Sequence, residues 1–353
     1  MAIVSPFAFE SFPIRVVFGE GQFAQLPSEV DRLSRSRLFV ISHDLWLAHA
    51  RTLLGERIAA TFTEAAQHTP VEVTDKALAI LRDEDADGIV AIGGGSAIGL
   101  GKALALRTKL PQIVVPTTYS GSEMTSLVGQ TNGGVKSTLK DPTVRPATVI
   151  YDPSITHTLD LRISAASGLN AIAHGVEALY APDSNPVIRL MALEGIGSMV
   201  KAIEGLIVDA HGMRAREMAF YGSWLNGMCL GSTTMGLHHK LCHTLGGMFG
   251  LPHAEMHAAM LPHTLAYNRP AIRQDIDDLA RVLGAKDPAT AFAALLRKAG
   301  LPVSLNELGM PFDGIEAAID LALRDAYANP RPLEKAALVE TLKRAHSGVL
   351  PES

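Results

Sequence analysis

Up to about residue 152 the chain alternates short β-branched or apolar runs with stretches where apolar residues recur every three or four positions. The runs at 14–18, 38–42, 88–92, 113–115 and 148–151 predict strands, and 23–33, 45–54, 74–82 and 96–107 predict helices. Strands separated by helices pair in parallel, because a parallel pair needs a long crossover connection, so the first half reads as a doubly wound α/β domain. Beyond residue 158 the strand pattern stops, and helical periodicity punctuated by Gly and Pro runs to the C-terminus. The boundary is placed near the Asp152-Pro153 turn, giving an α/β domain over 1–157 and an all-helical domain over 158–353. Inside the first domain, residues 127–130 and 135–139 flank Asn132-Gly133-Gly134, a turn composition suited to a β-hairpin.

A chain of 353 residues is long enough for two such cores. Although 47% of its residues are hydrophobic, charged residues, Gly and Pro interrupt every stretch before the roughly 20 residues of a membrane helix accumulate. Residues 1–18 show no basic segment followed by an apolar one and a small-residue cleavage site, so a cytoplasmic protein is expected. Cys229 and Cys242 have neither disulfide nor zinc-site spacing and read as buried thiols. A net charge of −5 with scattered Lys and Arg argues against nucleic acid or an anionic membrane and favours a small-molecule ligand.

Two loops carry candidate ligand chemistry. After the strand at 88–92 come Gly93, Gly94, Gly95 and Ser96, then a helix keeping Gly99 and Gly101. Glycines let backbone N–H groups approach a pyrophosphate, and a helix N-terminus adds partial positive charge. The run does not fit G-x-G-x-x-G, because Ile98 occupies the last glycine position, and alone it could be an ordinary βα turn. The next strand leads into Pro116 and then Thr117, Thr118, Ser120 and Ser122. Hydroxyls at the C-terminal end of a neighbouring parallel strand are where such sheets bind ligands.

In the second half Asn170 and His174 share a face of the helix expected over 167–180, His239 and His243 repeat the four-residue spacing, and His253 follows in Leu251-Pro252-His253. A single histidine of this kind is more often a core or surface residue. Two i, i+4 pairs plus a third histidine suggest convergence on one pocket, as metal and general-acid sites require. His238, His257 and His263 read as structural or outer-lying, and His43, His49, His68, His157 and His211 are isolated.

These motifs together resemble the iron-containing alcohol dehydrogenase family. The segments that carry the resemblance are GGGSAIGLGKALAL (93–106), PTTYSGSEMT (116–125), KDPTVRPATVIYDPSIT (140–156), SGLNAIAHGVEALYA (167–181), HKLCHTLGGMFGLPHAE (239–255), LPHTLAYN (261–268) and NPRP (329–332), spanning nearly the whole chain. The resemblance implies that NADH or NADPH is bound through Gly93 to Ser96, Thr117, Thr118, Ser120, Ser122 and Lys136, with Ser42 and His43 near the ribose, where no acid occurs until Asp44 to repel a 2′-phosphate.

In metal-dependent members an Asp and three His hold the metal, and those positions are Asn170, His174, His239 and His253 here. Losing the one anionic ligand weakens the hold on a dication, so no metal is expected. This departure implies a branch that reduces a carbon–carbon double bond conjugated to a ketone, that of maleylacetate, giving 3-oxoadipate in aromatic-compound degradation. Hydride added to the alkene carbon remote from the ketone leaves an enolate, which hydrogen-bond donors stabilise. Lys140 then reads as the partner of a substrate carboxylate, with Arg145 the fallback, and His243 and His253 as donors supported by His174, His239 and Asn170. A metal-dependent alcohol dehydrogenase of the same family and a sugar-phosphate cyclase-like lyase are the alternatives. The resemblance also implies a homodimer acting on a small dicarboxylate.

Overall fold

The computed structural model describes residues 7–10, 13–133, 135–325 and 327–350. The chain forms two compact units, Ser11–Leu159 and Asp160–Ser353, with residues 7–10 grouped with the second.

The first unit is built on six parallel strands, β1 (Arg15–Phe18), β2 (Leu38–Ser42), β3 (Ile58–Phe62), β4 (Gly88–Gly93), β5 (Gln112–Pro116) and β8 (Thr148–Tyr151). A two-stranded antiparallel hairpin, β6 (Leu127–Asn132) and β7 (Val135–Lys140), stands apart from that sheet. Strand order is β1-β8-β5-β4-β2-β3. The helices are α1 (Leu26–Arg32), α2 (Asp44–Leu54), α3 (Val71–Asp83) and α4 (Gly95–Thr108).

β2, β4 and β5 are buried along their whole length, as a sheet covered on both faces requires. One face packs Leu38, Val40, Val90, Ile92, Ile113 and Val115 against apolar residues of α1 and α2. On the other, α4 approaches so closely that a Cβ at Gly101 would lie 3.2 Å from the Ala91 Cβ. β3 differs from the sequence expectation, which placed no strand there. Its Ile-Ala-Ala-Thr-Phe run lies at the sheet edge, half-buried up to Thr61 with only Phe62 buried, and it lacks the β-branched density that marks β2 and β4. The expected helix over 23–33 is likewise split into a 3-10 turn, Gln22–Gln25, and α1, where Pro27 sits in the first turn and needs no N–H donor.

From β2 the chain steps outward to β3 and then returns past β2 to β4. The switch point of this sheet therefore lies at the C-terminal ends of β2 and β4, where Ser42 pairs with Ile92 and the glycine run begins.

The second unit contains nine helices among the described residues: α5 (Leu161–Leu179), α6 (Pro186–Val208), α7 (Met213–Ser232), α8 (Leu237–Phe249), α9 (His253–Asn268), α10 (Arg273–Leu283), α11 (Pro288–Lys298), α12 (Ile315–Arg324) and α13 (Lys335–Ser347). α5 is buried from Ser164 to Leu179, so its polar residues need internal partners. No helix among the described residues is long and apolar enough to cross a membrane.

Candidate active site

In the first unit the two ligand loops meet. Gly94 caps α4 with its backbone only, leaving the first-turn N–H groups without a side-chain acceptor. A Cβ at Gly94 would lie 3.0 Å from the Thr118 side chain, whereas one at Gly95 would meet nothing within 4 Å. Thr118 is therefore packed on the glycine turn, and Gly95 opens to the space above it. The Thr117 N–H donates to the Gly93 carbonyl at 3.0 Å, tying the loops at their roots. Thr117, Thr118, Ser120 and Ser122 are half-buried and face the same end of the sheet as the α4 N-terminus. Uncapped helix amides, an open glycine and clustered hydroxyls fit the pyrophosphate of a dinucleotide. Nearby, the Ser42 hydroxyl donates to the His43 carbonyl, and His43 is exposed at the start of α2. Lys140 is exposed at the end of β7 and Arg145 half-buried beyond it. The side chain of Lys136 lies outside the described residues.

In the second unit three helices bring the histidines together. α5 supplies Asn170 and His174, α8 supplies His239 and His243, and α9 opens with His253. The break between α8 and α9 is made by Gly250, whose φ of 64° is the left-handed stop glycine favours, followed by Leu251 and Pro252. The His174 and His239 rings stack with centroids 5.1 Å apart, and His243 meets His239 edge-on at 6.0 Å. Asn170, His174 and His239 are buried, His243 half-buried and His253 exposed.

Three further residues organise this cluster: Glu177, which the sequence pattern does not single out, and His257 and His238, which stand behind the first histidines as expected of structural or outer-lying residues. Glu177 lies one turn beyond His174 on the same face of α5 and is buried. It accepts from the His239 Nδ1 at 2.6 Å, the Gly236 N–H at 2.9 Å and the His238 N–H at 2.7 Å. Burial alone would push its carboxyl up, but the His239 bond, the fields of His239 and His238 and the Gly236 N–H hold it below the usual range. An ionised Glu177 fixes His239 with its proton on Nδ1 and its Nε2 lone pair free for the site. Glu177 shares the helix face of Asn170 and His174, seven and three residues on, but spacing alone does not tell such an acid from a solvent-facing one.

His257 and His238 are the other two. His257 packs 4.4 Å from His253, 5.1 Å from His239 and 6.4 Å from His243, ring centre to ring centre. Its Nδ1 is 3.1 Å from the His238 Nε2, and the His238 Nδ1 is 2.9 Å from the Thr264 hydroxyl oxygen. Ligand atoms of His238, Cys242 and His257 all lie within 4.8 Å of one another. Because the two imidazoles already bond to each other and Thr264 takes the next nitrogen, this group is accounted for as a hydrogen-bond chain. Burial pushes His238 down to about 3, and burial with the neighbouring imidazoles pushes His174 and His257 well below the ordinary histidine value. These rings are neutral, which is the form that donates a lone pair.

Asn170 Oδ1, His174 Nδ1 and His239 Nε2 are buried and have no hydrogen-bond partner among the described residues. Unpaired buried acceptors are costly, and a divalent cation would satisfy a set of neutral lone pairs backed by the Glu177 charge. The residues present fit such an ion, with a neutral amide where a carboxylate is the stronger ligand.

Two family descriptions match the chain, "Iron-containing alcohol dehydrogenase" over residues 13–153 and "Fe-containing alcohol dehydrogenase family, C-terminal" over 164–346. A maleylacetate reductase of Burkholderia cepacia is 48% identical over 351 residues, covering 99% of this chain and 100% of the relative. Among solved structures, maleylacetate reductase from Rhizobium sp. strain MTP-10005 superposes with a TM-score of 0.93 at 46% identity, covering 98% of this chain and all of that one. The Agrobacterium tumefaciens maleylacetate reductase structure gives 0.94 at 46%, with the same coverage.

The family match corrects one expectation. The amide at Asn170 alone argues against a metal; membership of an iron-containing family, matched across both units, points instead to a divalent metal as cofactor. Asn170 is only one of the ligand positions, and the buried Glu177 stands behind His239 with the negative charge that the amide lacks. Asn170→Asp is accordingly expected to tighten divalent-ion binding by about tenfold or more, measured by titration calorimetry with Zn2+ or Mn2+. Unchanged affinity would show that residue 170 does not face the ion. Matched along both units by the family descriptions and along its full length by relatives, the chain belongs to the iron-containing alcohol dehydrogenase family.

Proposed function

We propose that this chain is a maleylacetate reductase, transferring hydride from NADH or NADPH to the carbon–carbon double bond of maleylacetate and yielding 3-oxoadipate. The observation that carries the reading is the full-length likeness to maleylacetate reductases, in both sequence and structure. The first unit binds the nucleotide through Gly93 to Ser96, Thr117, Thr118, Ser120, Ser122 and Lys136, with Ser42 and His43 by the ribose. The second unit holds the substrate through Asn170, His174, His239, His243 and His253.

Hydride adds to the alkene carbon remote from the ketone, the alkene electrons move to make an enolate, and one proton then goes to the adjacent carbon. His174, kept neutral by burial, and His239, oriented by Glu177, support the donors around the ketone oxygen. His243, half-buried and outside the proposed ligand set, is assigned the delivery of the proton from solvent. Asn170, His174, His239 and His253 would hold a divalent ion, which when bound would supply Lewis acidity to the substrate.

The test is stoichiometric: purified enzyme with maleylacetate should oxidise one reduced nucleotide per substrate and form 3-oxoadipate. No turnover of maleylacetate, with turnover of simple aldehydes instead, would place the chain with the family's alcohol dehydrogenases.

A dianionic substrate leaving water needs positive charge or several donors. Lys140 is assigned one carboxylate, being an exposed cation on the hairpin. Lys140→Ala should lower kcat/KM for maleylacetate at least about tenfold, or about 1.4 kcal/mol of transition-state stabilisation, with nucleotide affinity unchanged. Wild-type kcat/KM in that variant would move the carboxylate contact to Arg145 or the histidines.

A further inference from the structure

We infer that Lys102 is a built-in cation that holds the hydroxyl-rich loop after β5 in its nucleotide-binding shape. This positioning role rests on the nucleotide reading above. Lys102 lies in the middle of α4 and is only 2% exposed. Its Nζ donates to the Ser122 carbonyl at 2.6 Å, the Thr125 carbonyl at 2.9 Å, the Thr125 hydroxyl at 2.8 Å and the Leu127 carbonyl at 3.0 Å. An ammonium has three protons, so four oxygens around one nitrogen form a complete shell of acceptors. Three carbonyls and a hydroxyl turned inward on one charge are also how proteins take the place of water around a monovalent ion.

The shell is closed by the loop itself. The Thr125 hydroxyl donates to the Ser122 carbonyl at 2.9 Å and accepts from the Leu127 N–H at 3.2 Å. At the loop's other end the buried Tyr119 hydroxyl donates to the Thr156 hydroxyl oxygen at 2.7 Å. Ser120 and Ser122 therefore hang between two fixed points, beside Thr118 packed on Gly94.

Without the ammonium, three buried carbonyl dipoles would converge with no donor between them, and the loop would have to open to satisfy them. Behind the ammonium lies the buried carboxyl of Glu123, which accepts from the Tyr151 hydroxyl at 2.7 Å. Burial pushes Lys102 down to about 7 while Glu123 opposes it, and burial pushes Glu123 up. An isolated buried lysine would lose its proton, whereas a shell made only of acceptors favours keeping it.

The test is chemical rescue. Lys102→Ala leaves the oxygen shell and removes the ion; NADH affinity, read by fluorescence titration of the full chain, should fall by about tenfold or more. Ammonium chloride, against an equal concentration of sodium chloride, should then restore most of it. Lys102→Met fills the same space without charge and should show the loss with no ammonium response.

Wild-type NADH affinity in Lys102→Ala would overturn the inference, and so would a loss that ammonium leaves untouched or an equal ammonium response in Lys102→Met. If Lys102→Ala does not fold, Thr125→Val decides, since it removes one oxygen of the shell and keeps the lysine. It should weaken NADH binding several-fold, and unchanged binding contradicts the role. Should the wild-type chain bind neither NADH nor NADPH, the nucleotide reading falls, and this inference with it; that outcome is distinct from a variant that binds normally.

Discussion

Glu177→Gln is expected to cost between about ten- and a hundredfold in divalent-ion affinity, with a matching loss of activity. The carboxylate accepts from two backbone N–H groups and from the His239 ring, and it is the charge that sets which nitrogen of His239 keeps its proton. A glutamine has one acceptor oxygen and one NH2 group. Whichever way it turns, either a backbone N–H loses its acceptor or His239 must flip its proton to Nε2, where the lone pair is wanted. Leaving a buried donor unpaired also costs about 1–3 kcal/mol of stability, so Tm should fall as well. Affinity is best read with Co2+, whose absorption reports binding directly and separates the site from turnover. Unaltered Co2+ binding in Glu177→Gln would mean that His239 is not oriented by this contact.

Gly95→Val is the second large effect, and it should leave the fold intact. A Cβ at Gly95 meets nothing within 4 Å, and the helix it opens does not rely on a left-handed backbone there. A valine side chain would therefore occupy the opening over the α4 N-terminus instead of displacing protein atoms. If that opening holds the pyrophosphate, NADH affinity should fall by about a hundredfold, some 2.7 kcal/mol, with Tm within a degree or two of wild type. Gly99 offers the contrast, since a side chain there would collide with Thr69 and disturb packing first. Normal NADH binding by folded Gly95→Val would place the phosphates elsewhere.

Much of this architecture is legible from pattern alone. β2, β4, β5 and β8 are continuous apolar runs because both faces of the sheet are covered, and the Asn132-Gly133 turn sits where the hairpin reverses. β3 was missed because an edge strand needs less apolar surface. The histidines on α8 and α9 stood out by spacing, but Glu177 did not. A lone acid in a helix usually faces solvent, and only the burial of the whole of α5 shows that this one must pair inside. His257 was set aside for want of a partner in sequence; its partner, His238, lies on a different helix. Lys102 was equally silent, since a lysine in a glycine-rich helix carries no periodic signal that it points inward. The expectation of no metal rests on one residue, Asn170, and membership of an iron-containing family overturns it.

The central claim, hydride delivery to a carbon–carbon double bond, is tested most directly with reduced nucleotide deuterated at the transferring position of the nicotinamide. Maleylacetate reduced with it should give 3-oxoadipate carrying one deuterium on the carbon two bonds from the ketone carbon, with the ketone intact and an unlabelled proton on the carbon between. Deuterium on a carbinol carbon, the mark of a reduced ketone and a surviving double bond, would contradict the account.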